Sequence, residues 1–315
     1  MKPVLITGGT GKTGAALTGL LRERGVPVRP ASRTPAAGDP DAVRFDWADP
    51  ATHAAALRGT DRVYLVPPVS TLDPLPQVEP FLAEADRLGV RRVVLLASAL
   101  VFPGSEGALE LAERVRARPG GVVLRASAFM QNFLAPHPVG EGVLRRGEIR
   151  TASGTGRVGW IDARDIAAAA AALLTAPEDA SHDGDGDRED ASHGGDGDRE
   201  DASHGGDGDR SVPHAREASD HLLTGPAALS YRDAAQILTR HLGRTVRVVP
   251  VEPEEMAATY RAAGLPDVFA AALAGVDVNI RDGRDDQVST AVLDLTGRPP
   301  RTFAQFLDDH ADRLR

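Results

Sequence analysis

Short apolar runs alternate with longer segments of helical periodicity through the first half of the chain. The runs Lys2–Thr7, Val26–Ser32, Val43–Asp46, Arg62–Val66, Arg92–Ala97 and Val122–Arg125 read as six strands. Between them, Ala15–Glu23, Ala51–Leu57, Val78–Leu88 and Ala108–Ala117 read as helices. Gly25 and Gly89 mark helix ends, and Pro67-Pro68 stops the fourth strand. Strands this continuously apolar, each followed by a helix, imply a parallel sheet covered on both faces. The expected class is α/β with a doubly wound sheet.

The pattern changes after residue 160. Asp162 is placed to cap a helix running to about Thr175. Residues 178–210 are three copies of an 11-residue unit, EDASHDGDGDR and twice EDASHGGDGDR. Each copy holds a single apolar residue, an alanine, so no helix built from it could bury a seam. The alternating Asp183, Asp185 and Asp187 suggest calcium, but an EF-hand needs glycine sixth and an acid twelfth, where Arg188 and Gly194 stand. A tolerated surface-loop insertion, disordered by composition, is the expected reading. Beyond it, Tyr231–Leu242 reads as a helix and Thr245–Val251 as a strand. Helical material follows, broken near Gly264–Pro266 and Gly297–Pro300. This tail is expected to form a small helical cap and not to continue the sheet. The division is therefore 1–176 for the sheet domain, 177–216 for the insertion and 217–315 for the cap.

Composition narrows the chemistry. The 315 residues carry a formal charge of −9, but 178–210 hold 13 acids and 3 arginines. Without them 33 basic and 32 acidic residues remain, so no nucleic-acid surface is expected. There is no cysteine, which excludes disulfides and thiolate catalysis. The only lysines are Lys2 and Lys12. No run reaches the length of a membrane span and the N-terminus lacks a signal-peptide layout, so a cytoplasmic protein is expected, monomer or homodimer. No metal site is expected.

The segment LITGGTGKTG, Leu5–Gly14, carries the most chemistry. Its Gly-Lys-Thr imitates a P-loop, GxxxxGK[ST], but the first glycine of that loop falls on Ile6. The spacing of Gly8, Gly11 and Gly14 instead follows a strand and opens a helix. That is the requirement for a dinucleotide's pyrophosphate at a helix N-terminus in a Rossmann-type sheet. An NAD site places an acid about 20 residues on; here the second strand ends Ala31-Ser32-Arg33-Thr34. Arg33 suits a 2′-phosphate, so NADP(H) is expected in preference to NAD(H).

With these motifs the chain resembles the NmrA-like group of atypical short-chain dehydrogenases/reductases, which includes quinone reductases and ergot-alkaloid iminium reductases. The resemblance rests on ITGGTGKTG, RVVLLASA (92–99), VVLRASAFMQNF (122–133), WIDARDIAAAA (160–170), LLTGPAALSYRDAA (222–235) and LTGRPPRTFAQF (295–306). It implies that Thr10, Gly11, Lys12 and Thr13 lie along the phosphates, Asp46 and Trp47 border the adenine, and Pro67, Ala97 and Ser98 flank the ribose. It also implies Phe129, Met130 and Asn132 near the nicotinamide, with the C-terminal region closing the pocket on a small-molecule substrate.

One departure from ordinary short-chain dehydrogenases matters. Their proton donor is a tyrosine followed four residues later by lysine, whereas Tyr64, Tyr231 and Tyr260 precede Pro68, Ala235 and Gly264. A hydride acceptor that needs no strong acid, such as a quinone, enone or iminium, fits this lack better than a simple ketone. His137 is the candidate proton donor and Ser98 a second catalytic candidate. Asp162 and Asp165 read as helix-capping residues, not a catalytic pair. A non-catalytic redox sensor, or a tailoring protein without net hydride transfer, is the alternative.

Overall fold

The computed structural model describes residues 1–177 and 219–314; the acidic repeats lie outside the described residues. Strands β1 (Val4–Thr7), β2 (Val28–Ser32), β3 (Val43–Arg44), β4 (Arg62–Leu65), β5 (Arg92–Ser98), β6 (Gly121–Ala126) and β9 (Asp220–Leu223) form one sheet in the order β3-β2-β1-β4-β5-β6-β9. Every pairing in it is parallel. Successive β1 side chains serve opposite faces: Val4 and Ile6 enter one core, Leu5 the other. On the first face lie α1 (Lys12–Glu23) and α6 (Ala163–Thr175). On the second lie α2 (Ala51–Leu57), α3 (Leu75–Arg87) and α4 (Glu106–Arg116). Both faces are sealed by aliphatic side chains, as the continuous apolar strands require.

The chain after the repeats departs from expectation at β9. Four residues, Asp-His-Leu-Leu, add a seventh strand beside β6, so this part of the tail does continue the sheet. A strand this short carries no periodicity of its own; the open edge of β6 selects it.

The cap draws on both halves of the sequence. After β6 come a short 3₁₀ turn (Met130–Phe133), α5 (Pro138–Arg146), β7 (Glu148–Thr151) and β8 (Arg157–Val158). Later elements are β10 (Leu229–Ser230), α7 (Tyr231–Leu242), β11 (Arg247–Pro250), α8 (Pro253–Ala262), α9 (Asp267–Arg281), α10 (Ala291–Thr296) and α11 (Phe303–Asp309). β11 pairs with β7 in parallel and β10 with β8 antiparallel, stitching the two halves together. Phe133, Trp160, Tyr231 and Phe303 form an aromatic centre with ring centroids 4.7 to 5.9 Å apart. α10 instead buries Val292 and Leu295 in the sheet-side core with α6.

Two cap anchors are electrostatic. Asp162 caps α6, accepting from the Arg164 amide and from Gln131 Nε2, both at 2.9 Å. Buried Asp165 pairs with Arg301 Nη1 at 2.5 Å and accepts from its amide at 2.7 Å. Both carboxylates therefore serve structure, as their capping positions imply.

Candidate cofactor and substrate site

The sheet order reverses at β1, whose neighbours β2 and β4 lie on opposite sides, so the connections leave in opposite directions and open a crevice at the carboxyl ends. The glycine loop fills its floor. Gly8 takes φ +63° and its carbonyl accepts from Gly11 N at 2.8 Å, closing a tight turn. A Cβ on Gly14 would lie 2.2 Å from the Gly8 oxygen, so glycine is required there for helix and loop to touch. Gly9, which spacing does not single out, is equally constrained: its Cβ would lie 2.8 Å from Pro30 Cβ. Gly11 differs. Its φ is −78° and its only close neighbour would be the Gly8 oxygen, at 3.1 Å.

Gly11 is also the N-cap of α1, which starts at Lys12, three residues before the sequence reading, because the helix begins as soon as the turn closes. The cap offers no side-chain acceptor and the first turn holds no acid. The helix N-terminus is left with unsatisfied amides and its positive end open, a fit for a pyrophosphate.

A groove of about 730 Å³ runs over this loop. It brings together Gly8, Thr10, Gly11, Lys12, Thr13, Arg33, Asp46, Trp47, Pro67 and Phe129, all named from sequence. Gly14 lies buried beneath it. Arg33 is exposed just past β2 and has no carboxylate partner among the described residues. At the same end, Trp47 packs edge-on against Phe45 (4.8 Å) and Phe81 (5.2 Å), and Asp46 accepts from the Ala48 amide at 3.1 Å. Phe45, Val66, Gln77 and Leu96 also line the groove. They carry no motif and are identified only by their places in the fold, Phe45, Val66 and Leu96 at strand ends and Gln77 in the first turn of α3.

At the other end Lys12 Nζ donates to Asn132 Oδ1 at 3.2 Å and lies 5.9 Å from the Phe129 ring centre. Burial and the Arg313 charge hold this ammonium below the usual lysine range. His137 caps α5, its Nδ1 accepting from Val139 N at 3.2 Å. Burial, then the neighbouring Lys12 charge, push its pKa down to about 4, so the imidazole is neutral near pH 7. Met130 turns away and is buried in the cap core, contrary to its implied place by the nicotinamide.

Ala97 and Ser98 line not the groove but an adjoining apolar pocket of about 270 Å³. Pro67, Pro68, Val69 and Leu96 are common walls of the two. Ser98 Oγ closes a local turn, donating to Leu100 O at 2.9 Å and accepting from Leu100 N at 3.0 Å. The stacked Phe102 and Phe269, 5.7 Å apart, join the sheet side to the cap at this pocket. All three tyrosines are buried away from it, with hydroxyl pKa values raised by burial. A larger cleft of about 870 Å³ lies between α1, α6 and the 296–301 segment. It is away from the strand ends, and Asp165 and Arg301 in its wall are already paired.

Comparison with known proteins agrees with this geometry. Residues 8–177 match a family model described as NAD(P)H-binding. The chain is 36% identical over 311 residues to the uncharacterized oxidoreductase YesF of Bacillus subtilis, covering 98% of this chain and 95% of that protein. It is 33% identical over 322 residues to agroclavine dehydrogenase of Claviceps fusiformis, covering 98% and 96%. Among solved structures, the NADPH-dependent quinone oxidoreductase QOR2 of Escherichia coli, complexed with NADPH, shares the fold with a TM-score of 0.72 at 23% identity, covering 97% and 99%. The glycine loop, the open helix end and these matches lead to one conclusion: the chain belongs to the NAD(P)H-binding family and is an oxidoreductase.

Proposed function

We propose that the protein is a reductase that prefers NADPH to NADH and reduces an activated small-molecule acceptor of quinone, enone or iminium type. The observation that carries this reading is a cationic cofactor groove opening into an apolar pocket whose walls hold neither tyrosine nor lysine. Bound NADPH supplies a hydride. The amides at the start of α1, with Thr10 and Thr13, hold its phosphates, and Lys12 adds charge from the side. Arg33 pairs with the 2′-phosphate, while Asp46 and Trp47 flank the adenine. Phe129 forms one wall beside the ring that reacts, and Pro67 and Leu96 form the boundary with the acceptor pocket.

Apolar walls exclude water and orient a planar acceptor, which can account for several kcal/mol of acceleration without an acid. Neutral His137 is occupied in capping α5, and Ser98 in its own turn, so both act as positioning residues; a reduced quinone or enone takes its proton from water, and an iminium needs none. Names among the relatives support this substrate range: agroclavine dehydrogenase and a quinone oxidoreductase. The test is oxidation of NADPH, followed by absorbance, with 1,4-naphthoquinone and N-methyl-3,4-dihydroisoquinolinium as acceptors and a simple ketone as control. Turnover of the first two and not the ketone is expected. NADPH binding without turnover of any of them would overturn the acceptor assignment and favour a sensor.

A further inference from the structure

A small recess opens at the far end of the apolar pocket, where the carboxyl ends of three strands meet the cap. Ala99 follows β5, Ser127 follows β6 and Thr224 follows β9, while Asp285 closes the recess from the loop after α9. Leu100 and Arg125 are walls of both spaces, so the recess adjoins the pocket as the pocket adjoins the groove. The volume is about 40 Å³, room for one small group.

Two polar side-chain atoms at this recess make no hydrogen bond among the described residues. Asp285 Oδ2 is buried without a hydrogen bond, and its carboxylate has no cation within salt-bridge distance among the described residues. Arg284 acts on it only from farther away. Ser127 is 6% exposed; its amide donates to Leu223 O, and its hydroxyl makes no hydrogen bond among the described residues. Thr224 is satisfied, donating to Gly225 O and accepting from Ser289 N, both at 2.9 Å. The cation in the wall is committed elsewhere: Arg125 and Arg116 both pair with Asp220 at 2.6 Å, and Arg116 also pairs with Glu113. Of the acids here, Glu113 and Asp220 have cations in ion-pair contact, whereas Asp285 has only Arg284, acting from farther away.

A buried carboxylate oxygen without a donor is unfavourable unless something brings one. A water molecule would solvate it, but a cationic nitrogen would neutralise it and could also be accepted by the Ser127 hydroxyl. The apolar pocket beside it accommodates the carbon skeleton. We propose that Asp285 and Ser127 form a subsite for a cationic nitrogen, an ammonium remote from the reacting carbon, carried by an otherwise apolar substrate. This rests on the reading of the groove as the cofactor site and narrows the acceptor from activated compounds in general to those bearing positive charge. Asp285 is a specificity-determining residue in this arrangement.

The test compares two ligands of one skeleton on the NADP⁺-loaded protein by calorimetry at pH 7. They are 1,2,3,4-tetrahydroisoquinoline, which is cationic, and isochroman, its neutral oxygen analogue. Wild type is expected to bind the cation at least tenfold more tightly, and Asp285→Asn to reduce that preference at least fivefold. Asp285→Glu should keep most of it. A wild-type preference below twofold, no binding of either ligand, or a preference that survives Asp285→Asn would overturn the proposal. NADPH affinity and melting temperature report whether the variants fold, and the wild-type ratio stands without them. Because the readout is binding, it remains decisive if no acceptor is turned over. Loss of NADPH binding would instead count against the cofactor reading.

Discussion

Lys12 Nζ donates to Asn132 Oδ1 at 3.2 Å, joining the first residue of α1 to the 3₁₀ turn after β6, 120 residues further along the chain. The same ammonium sits 5.9 Å from the Phe129 ring centre and is held below its ordinary pKa by burial and by Arg313. The residue that imitates a P-loop lysine thus bridges the glycine loop and the Phe129 wall of the groove.

Replacing Lys12 with Met should weaken NADPH binding about tenfold, the value of one charge-assisted contact at about 1.4 kcal/mol. Asn132→Ala, which frees the ammonium without removing it, should cost less. Fluorescence titration of NADPH checks both, and unchanged affinity in Lys12→Met would remove the lysine from the phosphate site.

Arg33→Ala should weaken NADPH by about tenfold to a hundredfold, as expected for about 1.5–3 kcal/mol in hydrogen bonds to a charged group, and leave NADH within about twofold. Equal affinity of the wild type for both cofactors would sink the assignment of Arg33 to a 2′-phosphate.

Two glycines of the loop should separate stability from binding. Gly14→Ala places a Cβ 2.2 Å from the Gly8 oxygen and should cost about 1–3 kcal/mol in denaturant unfolding, as overpacking does. At Gly11 the backbone suits any residue, so Gly11→Ala should change stability little while its methyl obstructs the phosphates. If both variants lose stability alike, Gly11 is a structural residue.

His137 makes a prediction about pH. Its folded pKa is about 4 against an ordinary value of 6.5, so between those values the unfolded chain binds more protons. Its contribution is fully present above about pH 6.5 and is lost as pH falls toward 4, by up to about 3 kcal/mol. Asparagine can cap α5 without titrating, so His137→Asn should flatten the stability profile over that window. A resonance assigned to His137 by its loss in His137→Asn and titrating near 6.5 would contradict it.

Most of the sheet was legible because its signals are local. Strand runs such as Arg62–Val66 and the helix Tyr231–Leu242 carry their own periodicity, and the latter matches the structure residue for residue. The glycine loop was legible for the same reason, since strand, turn and helix are contiguous. Gly9 escaped notice because its neighbours, Pro30 and Ala31, belong to another strand. β9 escaped because four residues hold no pattern until β6 offers an edge.

By itself the sequence determined the class of fold, the glycine turn that opens the first helix, and the lack of a tyrosine–lysine pair, since each depends on residue type at short spacing. Only the tertiary structure decided that Met130 faces the cap, that Ser98 lines the apolar pocket instead of the groove, and that Ser127 and Asp285 line one recess. Those are relations between residues far apart in the chain, set by how the cap packs across the strand ends, and no local pattern encodes them.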